Sequence, residues 1–232
     1  MNIKKDIDYD RWELGFFDLS KNFRKYQFDL IKEFVSGNVA EIGPGNGIIL
    51  ELYLDHCDKL DLFEPDKNLF SKLSYKFSNH KKITVINDEL NTSSNIYDVI
   101  LYLDVLEHIE DYEKEILKAH NALKKGGYLL INVPAFQFLY SDFDKDVGHF
   151  RRYSKKDITN LCSNYNLEIN RLKYYDSIGF FLSFLSKMTR SNYKKNFEKK
   201  IKIWDSLIPF SRILDKIFIS YFGKSLLIVI KK

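Results

Sequence analysis

A chain of 232 residues, 45% of them hydrophobic, is long enough to bury a substantial core in one domain without covalent staples. Its two cysteines, Cys57 and Cys162, give neither a disulfide framework nor a metal-ligand spacing, which excludes the disulfide-rich secreted scaffolds and makes a reducing cytoplasm the expected setting. The net charge of +4 conceals an asymmetry: residues 145–232 hold 19 Lys+Arg and 7 Asp+Glu, a net of +12, while residues 1–144, with 17 basic and 25 acidic side chains, carry −8.

The opening Met1-Asn2-Ile3-Lys4-Lys5-Asp6 is polar and shows no leader signal, and no apolar run reaches the roughly 18 residues of a membrane span. Leu19, Phe23, Tyr26, Phe28, Leu30, Ile31 and Phe34 then recur at near-helical spacing, with Lys21, Arg24, Lys25 and Lys32 between them. This spacing predicts an amphipathic helix that ends at Gly37.

Asn38 to Ile49 reads N-V-A-E-I-G-P-G-N-G-I-I. Val39–Ile42 predicts the end of a buried strand, Gly43-Pro44-Gly45-Asn46-Gly47 a tight turn, and Ile48, Ile49, Leu50 and Leu52 the start of a helix whose free N–H groups face the turn. Strand, glycine turn and helix in that order cradle a nucleoside cofactor in an open α/β sheet. A dinucleotide fingerprint would place its third glycine at 48, which is Ile. Glu41 would put a carboxylate where a pyrophosphate must sit, an arrangement suited instead to an ammonium or sulfonium.

A second strand, Lys59–Phe63, ends at Glu64-Pro65-Asp66, so Glu64 can accept both hydroxyls of a ribose, whichever nucleoside cofactor is bound. Ile83–Ile86 predicts strand three, followed by Asn87-Asp88-Glu89-Leu90. Strand four, Tyr97–Leu103, runs into Asp104-Val105-Leu106-Glu107-His108. A helix over 112–123 closes at Lys124-Lys125-Gly126-Gly127, and strand five is Tyr128–Pro134. If 104–108 is helical, Asp104, Glu107 and His108 share a face and form a possible divalent-metal set. A structural or cofactor-adjacent role is the preferred expectation for them, and no metal ligand is assigned.

E-I-G-P-G-N-G resembles the first motif of the class I S-adenosylmethionine (SAM) dependent methyltransferases. D-V-L-E-H, helix, L-K-K-G-G-Y-L-L-I-N-V-P resembles their fourth to sixth motifs, so the likeness runs unbroken from residue 38 to about 135. It implies an α/β fold: a Rossmann-like, seven-stranded, mostly parallel sheet sandwiched by helices, with an N-terminal lid helix and a C-terminal helical insertion. SAM would be the cofactor and S-adenosylhomocysteine (SAH) the product. By the resemblance, Glu41, Gly43, Pro44, Gly45, Asn46 and Gly47 would hold the amino-acid end, and Glu64 with Pro65 the ribose. Asp88, with Glu89 and Leu90, would meet the adenine, and Leu103, Asp104 and Val105 would wall the cleft. Some quinone-biosynthesis O-methyltransferases use an E-x-x-E-H version of the 104–108 stretch as a metal site; here the first position is Asp.

Beyond strand five, Gly148-His149-Phe150-Arg151-Arg152-Tyr153-Ser154 precedes a helix over 157–166, with Ser154 as N-cap and Asp157 at N3. The G-H-x-R-R-Y-[ST] pattern resembles a branch of bacterial methyltransferases associated with sugars, polysaccharides and other small metabolites. His149 is the candidate general base. Arg151 and Arg152 are candidate clamps for an acceptor's phosphate or carboxylate. Tyr153 and Tyr140 are candidate pocket walls. The candidate catalytic set is His149, Arg152 and Tyr153.

Leu167–Tyr175 alternates like a sixth strand, and Ser225–Ile230 is the last, which in this fold inserts antiparallel between neighbours. Between them, apolar Ile178–Leu185 precedes a basic run of Lys187, Arg190, Lys194, Lys195, Lys199, Lys200 and Lys202. A cap or dimer surface is preferred there over an interfacial membrane element. The division expected is one domain: a lid over 1–37, a core over 38–175 and 224–232, and a cap over 176–223. The resemblance implies methyl transfer to an oxygen or nitrogen of a small polar metabolite, a sugar or glycan precursor being favoured, by a monomer or homodimer. An NAD-dependent oxidoreductase is opposed by Glu41 and Ile48. A nucleic-acid role through the basic C-terminal third lacks the Asn/Asp-Pro-Pro-Tyr/Phe signature after strand four.

Overall fold

The structure, a computed structural model, describes residues 12–91, 95–189, 192, 194–217 and 221–232. Residues 1–11 of the expected lid and Arg190 of the basic run lie outside them. Seven strands form one sheet: β1 (Gly37–Ile42), β2 (Cys57–Phe63), β3 (Ile83–Ile86), β4 (Tyr97–Leu103), β5 (Leu123–Pro134), β6 (Glu168–Tyr175) and β7 (Ser225–Lys231), in the order β3-β2-β1-β4-β5-β7-β6. Strands β1 to β5 pair in parallel, while β7 runs antiparallel to both β5 and β6. The strand order reverses direction at β1 and β4, which opens a crevice beyond their carboxyl ends.

Side chains alternate across the sheet. Ala40, Ile42, Ile100 and Tyr102 fill one layer, and Val39, Val99, Leu101 and Leu103 the other, all buried. Helices cover both faces. In chain order they are α1 (Leu14–Phe17), α2 (Lys21–Ile31), α3 (Leu50–Tyr53), α4 (Lys67–Lys76), α5 (Tyr112–Ala122), α6 (Asp142–Asp146), α7 (Lys155–Asn164), α8 (Ser177–Met188) and α9 (Phe197–Ile217). Helix α7 begins at the expected cap, where Ser154 and Asp157 form a reciprocal capping box. Among the described residues, no helix is long and apolar enough to cross a membrane.

Three local expectations change. The helix after the glycine turn is one turn, Leu50–Tyr53, followed by a 3-10 turn over Leu54–His56, because only residues 48–56 separate the turn from β2. Strand β5 begins at Leu123 rather than at Tyr128: the Gly126 N–H donates to the Lys232 carbonyl at 2.6 Å, and the Lys232 N–H donates to the Gly127 carbonyl at 3.0 Å. This pairing draws the expected helix stop into the sheet. Residues 104–108 are not an α-helix, since Asp104 has φ 62° and only Leu106–His108 make a 3-10 turn.

Three buried aspartates fasten the C-terminal insertion. Asp176, at φ 65°, caps α8 by accepting from the Gly179 N–H at 2.9 Å, and also accepts from the Trp204 indole at 2.8 Å and the Ser211 hydroxyl at 3.0 Å. Asp215 accepts from the backbone N–H groups of Asp176 and Ser177 and from the Tyr26 hydroxyl at 2.8 Å. Asp205 of α9 accepts from the Asn22 and Phe23 N–H groups at the start of α2, satisfying donors that the Ser20 side chain leaves open. Helices α2, α8 and α9 are thereby locked to one another over one end of the sheet.

Candidate active site

A cleft of about 270 Å³ lies over the carboxyl ends of β1 and β4, where the topology predicts a ligand. Glu41 and the turn Gly43–Asn46 form one wall, Leu103 and Asp104 the floor, and His149 and Arg152 the far side. Leu14, Phe17, Phe23 and Arg24 face the cleft from α1 and α2, and Trp204 and Lys224 from the C-terminal region. Helices α1 and α2 thus stand where a lid was expected. Phe16 instead borders a neighbouring surface groove, and Tyr26 is buried against Tyr175.

At the nucleoside end, Gly43 and Gly45 have φ of 62° and 59°, a conformation open to glycine at little cost. A Cβ at Gly43 would lie 2.9 Å from Val105, whereas one at Gly45 would be in ordinary contact with Leu14 at 3.7 Å, so the turn is crowded beneath and covered without crowding by α1. Glu41 is buried and accepts a short hydrogen bond from the Tyr53 hydroxyl. Burial pushes its carboxyl up to about 7, against the opposing pull of that bond and of Arg24. Glu64 is fully buried under the turn and accepts from the Gly45 N–H at 3.3 Å and the Asp66 N–H at 3.1 Å. Pro65, Asp88 and Glu89 are exposed along the β2–β3 edge, while Leu90 belongs to the core and Gly47 is buried against Leu50 and Leu73.

Asp104 is held in its left-handed conformation by three partners. Asn132 donates to Oδ1, Arg24 donates to Oδ2 at 2.6 Å, and Gln27 reaches Oδ2 at 3.4 Å. Tyr175 in turn donates to Oδ1 of the Asn132 side chain at 2.7 Å, so strands β5 and β6 stand behind the arrangement.

The acceptor side is built on Asp144. Its carboxylate, with no exposed surface, takes two hydrogen bonds from Arg152 (Nε at 2.8 Å, Nη2 at 2.9 Å) and lies 2.9 Å from Nδ1 of His149. Burial alone would raise this carboxyl, but His149 and Arg152 together hold it well below the ordinary carboxylate range. In the neutral tautomer that directs Nδ1–H at Asp144, Nε2 of His149 carries the lone pair. That nitrogen lies 3.8 Å from Oε1 of Glu107, a buried carboxyl pushed well above its ordinary range by burial and then by the Asp104 charge. Among the described residues, Oε2 of Glu107 has no hydrogen-bond partner. The ligand atoms that converge among the described residues are those of Glu107, His108 and His149, within 4.8 Å of one another, rather than Asp104, Glu107 and His108.

Of the expected cofactor residues, Gly47, Glu64, Pro65, Asp88, Glu89, Leu90 and Val105 lie outside the cleft lining, and on the acceptor side so do three more. Tyr153 is drawn alongside the end of β5 by a bridge to Ala135, is buried, and donates to the Leu106 carbonyl at 3.0 Å. The Tyr140 hydroxyl donates to the His149 carbonyl at 2.6 Å. Arg151 points away, donating to the Glu110 carbonyl and lying over the Tyr112 ring. Two residues went unread in the sequence. Asp144 had a local signal, since it is the N3 partner of Ser141 in a capping box at α6. Lys224 had none: contacts with Trp204 and the end of β5, distant in sequence, place it at the cleft.

Sheet order, glycine turn and cleft together define the Rossmann-like fold of the class I SAM-dependent methyltransferases. The methyltransferase-domain family matches residues 18–172, and the chain belongs to that family. A ubiquinone biosynthesis O-methyltransferase of Rickettsia bellii is 22% identical over 151 residues, a match covering 58% of this chain and 63% of that protein. Among solved structures, phosphoethanolamine N-methyltransferase 2 of Haemonchus contortus in complex with SAM aligns with a TM-score of 0.66 at 14% identity, covering all of this chain and 60% of that one. A SAM-dependent methyltransferase from Archaeoglobus fulgidus aligns at 0.63 with 14% identity, covering 95% and 98%. The chain therefore spans under two thirds of the length of the first two of these relatives.

Proposed function

We propose that this protein transfers a methyl group from SAM to an oxygen or nitrogen of a small polar metabolite. The observation that carries this reading is a single cleft with a glycine turn beside buried Glu41 at one end and the Asp144–His149 pair at the other. The residues fit the cofactor: Gly43 and Gly45 bring the turn's backbone to the cleft, Glu41 offers a carboxylate to an ammonium, and Glu64 lies directly beneath the turn on the ribose side. When bound, SAM supplies a methyl group already activated on a sulfonium. The protein's share is alignment and removal of one proton.

Arg24 and Asp104 stand beside the turn to orient the amino-acid end. His149 is the base: Asp144 fixes the Nδ1–H tautomer, and Nε2 accepts the acceptor's proton. Arg152 supports this pair without touching the reacting atoms. Residues 1–37 and 176–223 serve as lid and cap of one domain whose core is 38–175 and 224–232. The Gly148–Ser154 motif makes sugars and glycan precursors the first acceptor class to test.

Calorimetric titration with SAH, beside NAD, tests the cofactor. Micromolar SAH binding that disappears in Glu64→Ala supports the reading, and NAD binding in place of SAH overturns it. A methyl-transfer screen with His149→Ala as control then addresses the acceptor.

A further inference from the structure

Lys224 is the unexplained cation of the cleft. Its backbone is pinned on both sides, the N–H donating to the Asp176 carbonyl at 3.0 Å and the carbonyl accepting from the Ala135 N–H at 2.8 Å. The side chain is thus committed to the cleft, which it lines with Arg152, His149 and Ser225. Its Nζ stands 3.6 Å from the centre of the Trp204 ring. That indole cannot turn away, because its N–H is bonded to Asp176 and its ring packs on Phe23 at 4.8 Å. Among the described residues, no carboxylate or carbonyl accepts a hydrogen bond from Nζ.

The other cations nearby are already matched. Arg152 is bound to Asp144 at two points, Arg24 to Asp104, and Arg151 lies outside the cleft. Asp176, the acid closest in influence on Lys224, has its carboxylate occupied by the Gly179 N–H, Trp204 and Ser211. Burial lowers the ammonium to about 8, so at neutral pH most molecules still carry the charge. The rings of Trp204 and Phe17 lie against Nζ, at 3.6 and 6.0 Å, in a cleft whose lining combines Phe143, Phe197 and Ile201 with the acids Glu13, Glu41, Asp104 and Glu107. A partly desolvated ammonium with open donors, held against an indole ring, is chemically suited to bind an anion.

We propose that Lys224 is the specificity-determining residue of the acceptor site, and that the methyl acceptor is an acid, a ring-bearing molecule whose carboxylate or phosphate is held by Lys224 against Trp204. This inference rests on the methyl-transfer reading for the acceptor's role. The anion site itself stands on Lys224 alone. It transfers to Lys224 the clamping function that the sequence suggested for Arg151 and Arg152.

The test uses benzoate and phenyl phosphate as charged probes and benzamide as the uncharged counterpart, titrated into the full-length protein with and without SAH. Benzoate or phenyl phosphate should bind about tenfold or more tightly than benzamide, the worth of one charge-assisted hydrogen bond. The tighter of the two identifies the acid group. Lys224→Met should abolish that preference while leaving SAH affinity unchanged, and Lys224→Arg should restore it. Equal binding of charged and uncharged probes, or a preference surviving in Lys224→Met, overturns the proposal. Absence of SAH binding with the charge preference intact overturns methyl transfer and leaves the anion site standing.

Discussion

Arg24 of α2 places Nη1 2.6 Å from Oδ2 of Asp104, a residue 80 positions away that sits at φ 62° just past β4. The pair joins the lid side of the cleft to its floor. Both side chains keep some solvent contact, 20% and 32% exposed, so the ion pair itself contributes at most about 1 kcal/mol. Arg24→Gln should therefore leave the melting temperature nearly unchanged and weaken SAH binding. Asp104→Val should cost about 1–2 kcal/mol or more, because a β-branched residue resists the left-handed region. Thermal denaturation of the two variants, compared with SAH calorimetry, separates these roles. Equal destabilisation by both would refute the assignment.

Arg152 and Asp144 behave differently, because their carboxylate is wholly buried. Arg152→Met strands that charge and should cost about 3–5 kcal/mol in urea unfolding. Combining it with Asp144→Leu should recover much of the loss, since no unpaired charge then remains. A double variant no more stable than Arg152→Met would show that Asp144 is not the source of the penalty.

Glu41 predicts a pH signature. Its carboxyl is raised from an ordinary 4.5 to about 7 in the folded protein, so the native state holds a proton that the unfolded chain releases. The resulting stabilisation is complete below about pH 4.5 and is lost as pH rises through about 7. Binding of an ammonium-bearing ligand favours the ionised form, so SAH affinity should increase across the same window, with proton release near pH 6. Calorimetry in buffers of differing ionisation enthalpy reads this directly, and Glu41→Gln should flatten it. A flat profile in the native protein would place the ammonium elsewhere.

Gly43 and Gly126 both have positive φ, but only the first is crowded. A Cβ at Gly43 meets Val105 at 2.9 Å, and one at Gly126 meets nothing within 4 Å. Gly126→Ala should cost only the backbone strain, about 1–2 kcal/mol. Gly43→Ala should cost more and reduce SAH binding, with partial recovery when Val105→Ala is added. Indistinguishable melting temperatures for the two single variants would contradict the packing described here.

The sheet was legible where strands are apolar or alternating runs bounded by turn residues; β3 and β4 fall on the expected residues, and β7 pairs antiparallel where the resemblance placed it. Glu41 and Gly43–Asn46 were legible because one local motif carries them. What escaped were features made by contacts between distant residues. The Lys232–Gly127 bond extends β5, Asn132 and Arg24 stabilise an Asp104 backbone that breaks the expected helix, and Tyr153 is turned inward by its bridge to Ala135. The arginine motif was read as a ligand clamp, yet Arg152 is bound to Asp144, whose role becomes visible only when α6 folds against His149.

Strand β7 has one more consequence. It is the last strand of the chain in sequence, yet it lies between β5 and β6, where each of its faces and both of its edges are occupied. Until it emerges during synthesis, β5 lacks one neighbour and β6 has none, leaving two apolar edges open to foreign strands. The sheet can close only after residues 225–231 have been made. Nascent protein should therefore depend on shielding until they emerge, and removal of 225–232 should produce aggregation rather than a smaller soluble fold.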